Sequence, residues 1–200
     1  MRMTEPRAGY TLPVFACASA IAALQYLQQE QPLDQVEINL VTPPEQATIP
    51  VEQVAKLEMG KALAITRSDP GDNLDLTANT PIWAIVSLAS RQPDIEQVTI
   101  NGGEGVGKQL QADGKAAIYR YAKQILMENL QPLLREDQRV TVTIILPEGK
   151  RLAQRTSNEA FGVVEGLSLL GTTGISQPLS APGQLTAFQE ELAQKAKEFD

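Results

Sequence analysis

The 200-residue chain contains no histidine. That excludes a Ser-His-Asp triad, a Cys-His pair and any histidine-ligated metal. It has one cysteine, Cys17, so an intrachain disulfide framework is excluded and a reducing cytoplasm is expected. Lysine and arginine number 17 against 24 aspartates and glutamates, for a net charge of −7. This argues against broad nucleic-acid binding, which needs a basic footprint. A local arginine cluster can still hold an anionic ligand against the global sign. No apolar run reaches membrane-spanning length. The apolar stretch 12–24 imitates a signal peptide, yet Gln25, Gln28 and Gln29 continue its pattern and no cleavage region follows. It reads as a core helix of a cytoplasmic protein.

Glycine, by contrast, is concentrated. Eight of the fourteen glycines fall in two windows, 102–107 and 162–174. Glycine is retained where the backbone turns sharply or approaches something closely, and its bare N–H groups suit carboxylates, phosphates or a bulky cofactor.

Hydrophobic residues make up 42% of the chain, enough to build a core in one medium domain. Residues 14–29 predict a buried helix of small side chains, ending before Pro32. The alternation at 36–41 predicts a strand, with a second hairpin arm at 48–51 after Pro43-Pro44. Residues 54–66 are ambiguous, and a strand at 61–66 is the preferred reading. Further strands are expected at 82–88, with Trp83 in the core, at 98–100 and at 140–146. Apolar residues at 118, 122, 125, 126, 130, 133 and 134 predict an amphipathic helix over 115–134. An exposed helix is expected at 184–199. The order is not a regular βαβ alternation, so the fold class is α+β with a mixed sheet.

Three segments carry candidate chemistry. A strand, then Gly102-Gly103-Glu104-Gly105-Val106-Gly107, then a helix is the outline of a dinucleotide or S-adenosylmethionine loop. A tight turn without ligand explains it nearly as well, because Asn101 precedes it and no acidic strand end follows. Asp69, Asp72 and Asp75 could ligate calcium or magnesium through oxygen, could hook a ligand, or could cap turn N–H groups. The capping role ranks first. Gly171-Thr172-Thr173-Gly174 offers hydroxyls and N–H groups for a carboxylate. Arg151 and Arg155 could clamp carboxylates bidentately, though solvated arginines are commoner. Cys17 reads as a buried, inert thiol.

Taken in order, five segments resemble the cobalt-precorrin-5B C(1)-methyltransferases of anaerobic cobalamin biosynthesis. They are Arg7-Ala8-Gly9-Tyr10-Thr11 with Cys17-Ala18, residues 68–77 (SDPGDNLDLT), residues 102–107 (GGEGVG), residues 147–158 (PEGKRLAQRTSN) and residues 166–175 (GLSLLGTTGI). Departures from the family pattern occur at Leu12-Pro13, where Thr-Gly is usual, and at Ser68, Asn73, Leu74, Ala78 and Asn79. The segment after Gly107 departs too, its N-P-V-P-R core being replaced by Asp113 and a continuous helix.

The resemblance implies an N-terminal α+β domain over 1–182. A helix at 183–200 would lead toward a C-terminal Rossmann-like part, most of which is lacking. It implies methyl transfer from S-adenosylmethionine to ring carbon C-1 of an anionic cobalt-precorrin, with no nucleic acid, membrane or metal, and leaves room for a homo-oligomer. The alternative is a non-catalytic corrinoid-binding or scaffold domain of the same pathway. Thr11, Asp69, Asp72, Asp75 and Thr77 would belong to the ligand surface. So would Gly102, Gly103, Glu104, Gly105 and Gly107 of the first loop, with Arg151 and Arg155 behind it. Gly171, Thr172, Thr173 and Gly174 complete it. A Gly105→Val substitution is expected to remove activity while leaving the fold intact.

Overall fold

Small side chains decide where the first helix lies. The computed structural model describes residues 6–178. In it strand β1 (Gly9–Tyr10) leads into helix α1 (Leu12–Gln29). Every residue from Pro13 to Leu24 is buried, as a helix apolar on all sides requires. Pro13 sits in the first turn, where its missing N–H costs no helical bond. Glu30 stops the helix in the left-handed conformation and donates its N–H to the Tyr26 carbonyl.

Strands β2 (Gln35–Asn39) and β3 (Gln46–Pro50) form the expected antiparallel hairpin. Strands β4 (Gln53–Glu58) and β5 (Lys61–Arg67) form a second. Strand β6 (Pro81–Ser90) and strand β7 (Val98–Gly102) follow. A small ribbon of β8 (Lys108–Gln109) and β9 (Lys115–Ala116) precedes helix α2 (Arg120–Leu130). The described residues end with β10 (Gln138–Ile145), the short helix α3 (Gly149–Ala153), β11 (Val163–Val164) and β12 (Ile175–Ser176).

The main sheet has the order β4-β5-β6-β10-β7 and is antiparallel except where β10 runs parallel to β7. It is a mixed sheet, as expected. Helix α1 covers one face, over buried Ala62, Ala64, Ile82, Ala84, Val86 and Val142. The alanines permit a close approach, and a buried polar contact fixes it. Thr66 Oγ1 donates to the Phe15 carbonyl at 3.0 Å, and Ser19 Oγ lies 2.9 Å from Thr66 Oγ1 and 3.0 Å from the Ile82 carbonyl. Helix α2 lies beside α1 and runs the same way, because Cys17 contacts Ile125 and Gln28 contacts Leu133. Burial pushes the Cys17 thiol well above its ordinary pKa, in keeping with an inert core residue. No helix among the described residues is long and apolar enough to cross a membrane.

Three expectations change. Residues 53–58 are a strand of their own, with the turn to β5 made by Gly60 at φ 70°. The helix expected over 115–134 is confined to Arg120–Leu130. Ile118 is buried by a parallel bridge to Leu169 and not by helical packing, and Asp113 and Gly114 turn the chain with positive φ. Trp83 is half-buried on the sheet face opposite α1, since its neighbours Ile82 and Ala84 take the core side. The helix expected at 184–199 and the boundary at 182 lie outside the described residues.

Register collects the loops at one end. Arg67 stands opposite Pro81, Trp83 opposite Ile145, and Gly102 beside Ile144. The loops after β5, β7 and β10 therefore leave the same edge of the sheet. The Thr66–Phe15 bond places the start of α1 there as well.

Candidate functional site

Residues 7–11 thread between the acidic loop and the second glycine loop. On one side Tyr10 donates its N–H to the Asp69 carbonyl at 2.9 Å, and Asp72 donates its N–H to the Arg7 carbonyl at 2.9 Å. On the other, Thr11 donates its N–H to the Gly174 carbonyl and its hydroxyl to the Thr173 carbonyl, both at 2.9 Å. The crossing demands glycine, because a Cβ on Gly9 would overlap the Pro70-Gly71 backbone. Thr11, Asp69, Asp72, Thr173 and Gly174 thus come together although the sequence scatters them.

The acidic side chains face inward to the turn. Asp69 accepts two guanidinium bonds from Arg7, at 2.7 and 2.8 Å, and the Gly71 N–H at 3.0 Å. The Arg7 hydrogen bond holds its carboxyl below the usual range. Asp72 accepts the Arg7 N–H at 2.7 Å, and Asp75 accepts both the N–H and the hydroxyl of Thr77 at 2.7 Å. The Asp69–Gly71 and Asp75–Thr77 contacts are Asx turns, and Arg7 ties the loop to the N-terminal segment. Among the described residues no group of three or more His, Cys, Asp or Glu is placed to hold a metal ion.

The first glycine loop is knotted into the backbone. Gly103 donates to the Ile144 carbonyl at 2.7 Å, Gly107 to Leu167 at 2.7 Å, and Gly105 accepts from Leu167 at 2.9 Å. Gly105 has φ 75°, and a Cβ there would overlap the Leu146 carbonyl; Cβ atoms on Gly149 or Gly166 would overlap the Gly105 carbonyl. Gly105 and Gly107 are buried, which leaves Gly102, Gly103 and Glu104 as the accessible part of the loop. No helix follows directly, because β8 and β9 intervene before α2. The strand–glycine–helix outline of a nucleotide loop is therefore absent. Glu104 pairs with Lys150 at 3.1 Å. Arg151 is paired with Glu148 on α3, while Arg155 is exposed without an ion-pair partner among the described residues.

The second glycine loop borders a cavity of about 370 Å³ shared with Thr42, Tyr119, Arg120 and Leu170. Gly171 and Thr172 line it, whereas Gly174 is buried and donates its N–H to the Thr42 carbonyl at 2.8 Å. Arg120 is exposed and has no partner among the described residues. Leu170 is 62% exposed. A free guanidinium beside an exposed apolar surface suits a ligand that is flat, apolar and edged with carboxylates. Sequence reasoning missed Arg120; its only signal was its place at the start of the amphipathic pattern.

The CbiD family model matches residues 1–178. The cobalt-precorrin-5B C(1)-methyltransferase of Trichormus variabilis is 64% identical over 190 residues, covering 95% of this chain and 51% of the relative. The protein of the same name from Nostoc sp. is 62% identical over 194 residues, covering 97% and 52%. The crystal structure of cobalamin biosynthesis protein (cbiD) from Archaeoglobus fulgidus is similar at a TM-score of 0.67 and 30% identity, over 88% of this chain and 56% of that one. The chain spans about half the length of the curated relatives it matches.

Proposed function

The chain belongs to the CbiD family, and from that premise we propose that it forms the corrinoid-holding part of a C-methyltransferase. The enzyme would methylate ring carbon C-1 of cobalt-precorrin-5B in the cytoplasm, with S-adenosylmethionine as donor. The observation that carries this reading is the unpaired Arg120 beside exposed Leu170 and the second glycine loop. A tetrapyrrole would lay its ring on Leu170 and Tyr119 and place a carboxylate on Arg120. Arg155 also lacks an ion-pair partner among the described residues and could take a carboxylate, whereas Arg151 is already held by Glu148.

When bound, the donor supplies an electrophilic methyl group and leaves as a neutral thioether. The protein's share is then to position and to exclude water, work that needs no histidine. Asp69, Asp72, Asp75 and Thr77 act as positioning residues: they hold the turn that carries residues 7–11, and through Thr11 the loop 171–174. A cavity of about 480 Å³ beside Tyr10 and Phe15 meets the size of a nucleoside-bearing donor.

A second reading, a corrinoid-binding or scaffold domain without catalysis, is favoured by the departures from the family pattern at Leu12-Pro13, Ser68, Asn73 and Leu74. Incubation with cobalt-precorrin-5B and methyl-labelled S-adenosylmethionine separates the two. Label in the corrinoid supports methyl transfer; corrinoid binding without label leaves the binding domain. Arg120→Ala should weaken cobyrinic acid binding on the order of tenfold or more at an unchanged thermal midpoint.

A further inference from the structure

We propose that the cavity between the β2–β3 hairpin and the start of α1 is a nucleoside site that receives the adenosyl group of the methyl donor; this rests on the methyl-transfer reading above. Its walls are Tyr10, Phe15, Ile49 and Val51. Phe15 and Ile49 are buried, and Tyr10 is half-buried. The Tyr10 and Phe15 rings meet edge to face, with centroids 6.4 Å apart at 70°, which fixes the orientation of the Tyr10 wall. An apolar chamber with an aromatic side suits a planar heterocycle.

Charge at the mouth separates this cavity from the others. Arg67 is bonded to Glu52 at 2.5 Å, and Asp69 to Arg7 at 2.7 Å. Two carboxylates therefore meet two guanidiniums, and the rim offers a polyanion no net attraction. Each paired carboxylate keeps lone pairs for hydroxyl donors, as a ribose would present. The polycarboxylate corrinoid is better matched by Arg120, which has no partner among the described residues. The cleft of about 440 Å³ beside Lys150, Gln154, Glu159 and Glu165 lacks any aromatic wall.

The cavity is tied to the corrinoid surface through two adjacent residues. Tyr10 lines the cavity, and Thr11 donates its hydroxyl to Thr173 of the second glycine loop. A group held against Tyr10 is thereby placed on the same end of the sheet as the loop proposed to hold the corrinoid.

Calorimetric titration of the 200-residue chain with S-adenosylhomocysteine tests the assignment, with cobyrinic acid titrated in parallel. Thr48 lines the cavity from an exposed strand position, so Thr48→Trp fills the mouth without disturbing the core. The expected result is at least a tenfold loss of S-adenosylhomocysteine affinity in Thr48→Trp and in Tyr10→Ala, with cobyrinic acid affinity and, for Thr48→Trp, the thermal midpoint unchanged. Undiminished S-adenosylhomocysteine binding in both variants overturns the site and leaves the methyl-transfer reading standing. No binding by the unaltered chain also overturns the site, and the label-transfer experiment then decides the reading by itself. Equal loss of both ligands in Thr48→Trp overturns the division between the two cavities.

Discussion

Gly105 and Leu146 meet backbone to backbone: a side chain at 105 would occupy the space of the Leu146 carbonyl oxygen. The expectation that Gly105→Val spares the fold is therefore not met by the geometry. Gly114 provides the comparison, since it shares a positive φ, 73° against 75°, but has nothing within 4 Å of a built Cβ. Gly114→Ala should cost about 1 kcal/mol, the left-handed penalty alone. Gly105→Ala should cost roughly 3 kcal/mol or more. Urea unfolding of the two variants measures the difference, and equal losses would show that packing is not what demands glycine at 105.

The Arg7–Asp69 pair sets a pH dependence. Arg7 holds the Asp69 carboxyl below its usual value, so its contribution is present above the unfolded pKa of about 3.9. It is lost as pH falls through the lower folded value. Arg7→Met should lower the thermal midpoint at neutral pH, with the gap to the unaltered chain narrowing under acid. Both side chains are more than half exposed, so salt should shrink the gap too. A gap constant across pH would assign the contribution to packing.

Ser19 and Thr66 share one buried polar contact, so their substitutions are coupled. Thr66→Val leaves the Phe15 carbonyl without its side-chain donor and Ser19 without a neighbour, at about 1–3 kcal/mol. Adding Ser19→Ala should cost less than the sum of the single substitutions. A double-mutant cycle by urea denaturation checks this; strict additivity would mean the hydroxyls act independently.

What the sequence reveals depends on how local the cause is. Strand β10 alternates visibly, β6 is a short apolar run and α1 is apolar over most of its length, so each was legible from its own residues. Asp75 capping Thr77 spans two positions and was legible as turn chemistry. The roles of Gly105, Gly149 and Gly166 were not, because each is explained by a segment distant in the chain. Strand β4 was hidden because Val54-Ala55-Lys56-Leu57-Glu58 follows neither period cleanly, and its bulge interrupts the pairing with β5. The start of α2 was misplaced because Ile118 is buried by a partner strand while fitting a helical spacing. Five motifs in order still identified the family.

The pairing of β1 with β12 has a consequence for synthesis. Gly9 pairs with Ser176, far along the chain from it. At ordinary translation speed its neighbour Thr11 waits on the order of ten seconds or more for Thr173. Over that interval the hydrophobic start of α1 lacks the partner that later secures its leading end. The crossing of residues 7–11 that joins the loops therefore cannot close until Thr173 and Gly174 have been made.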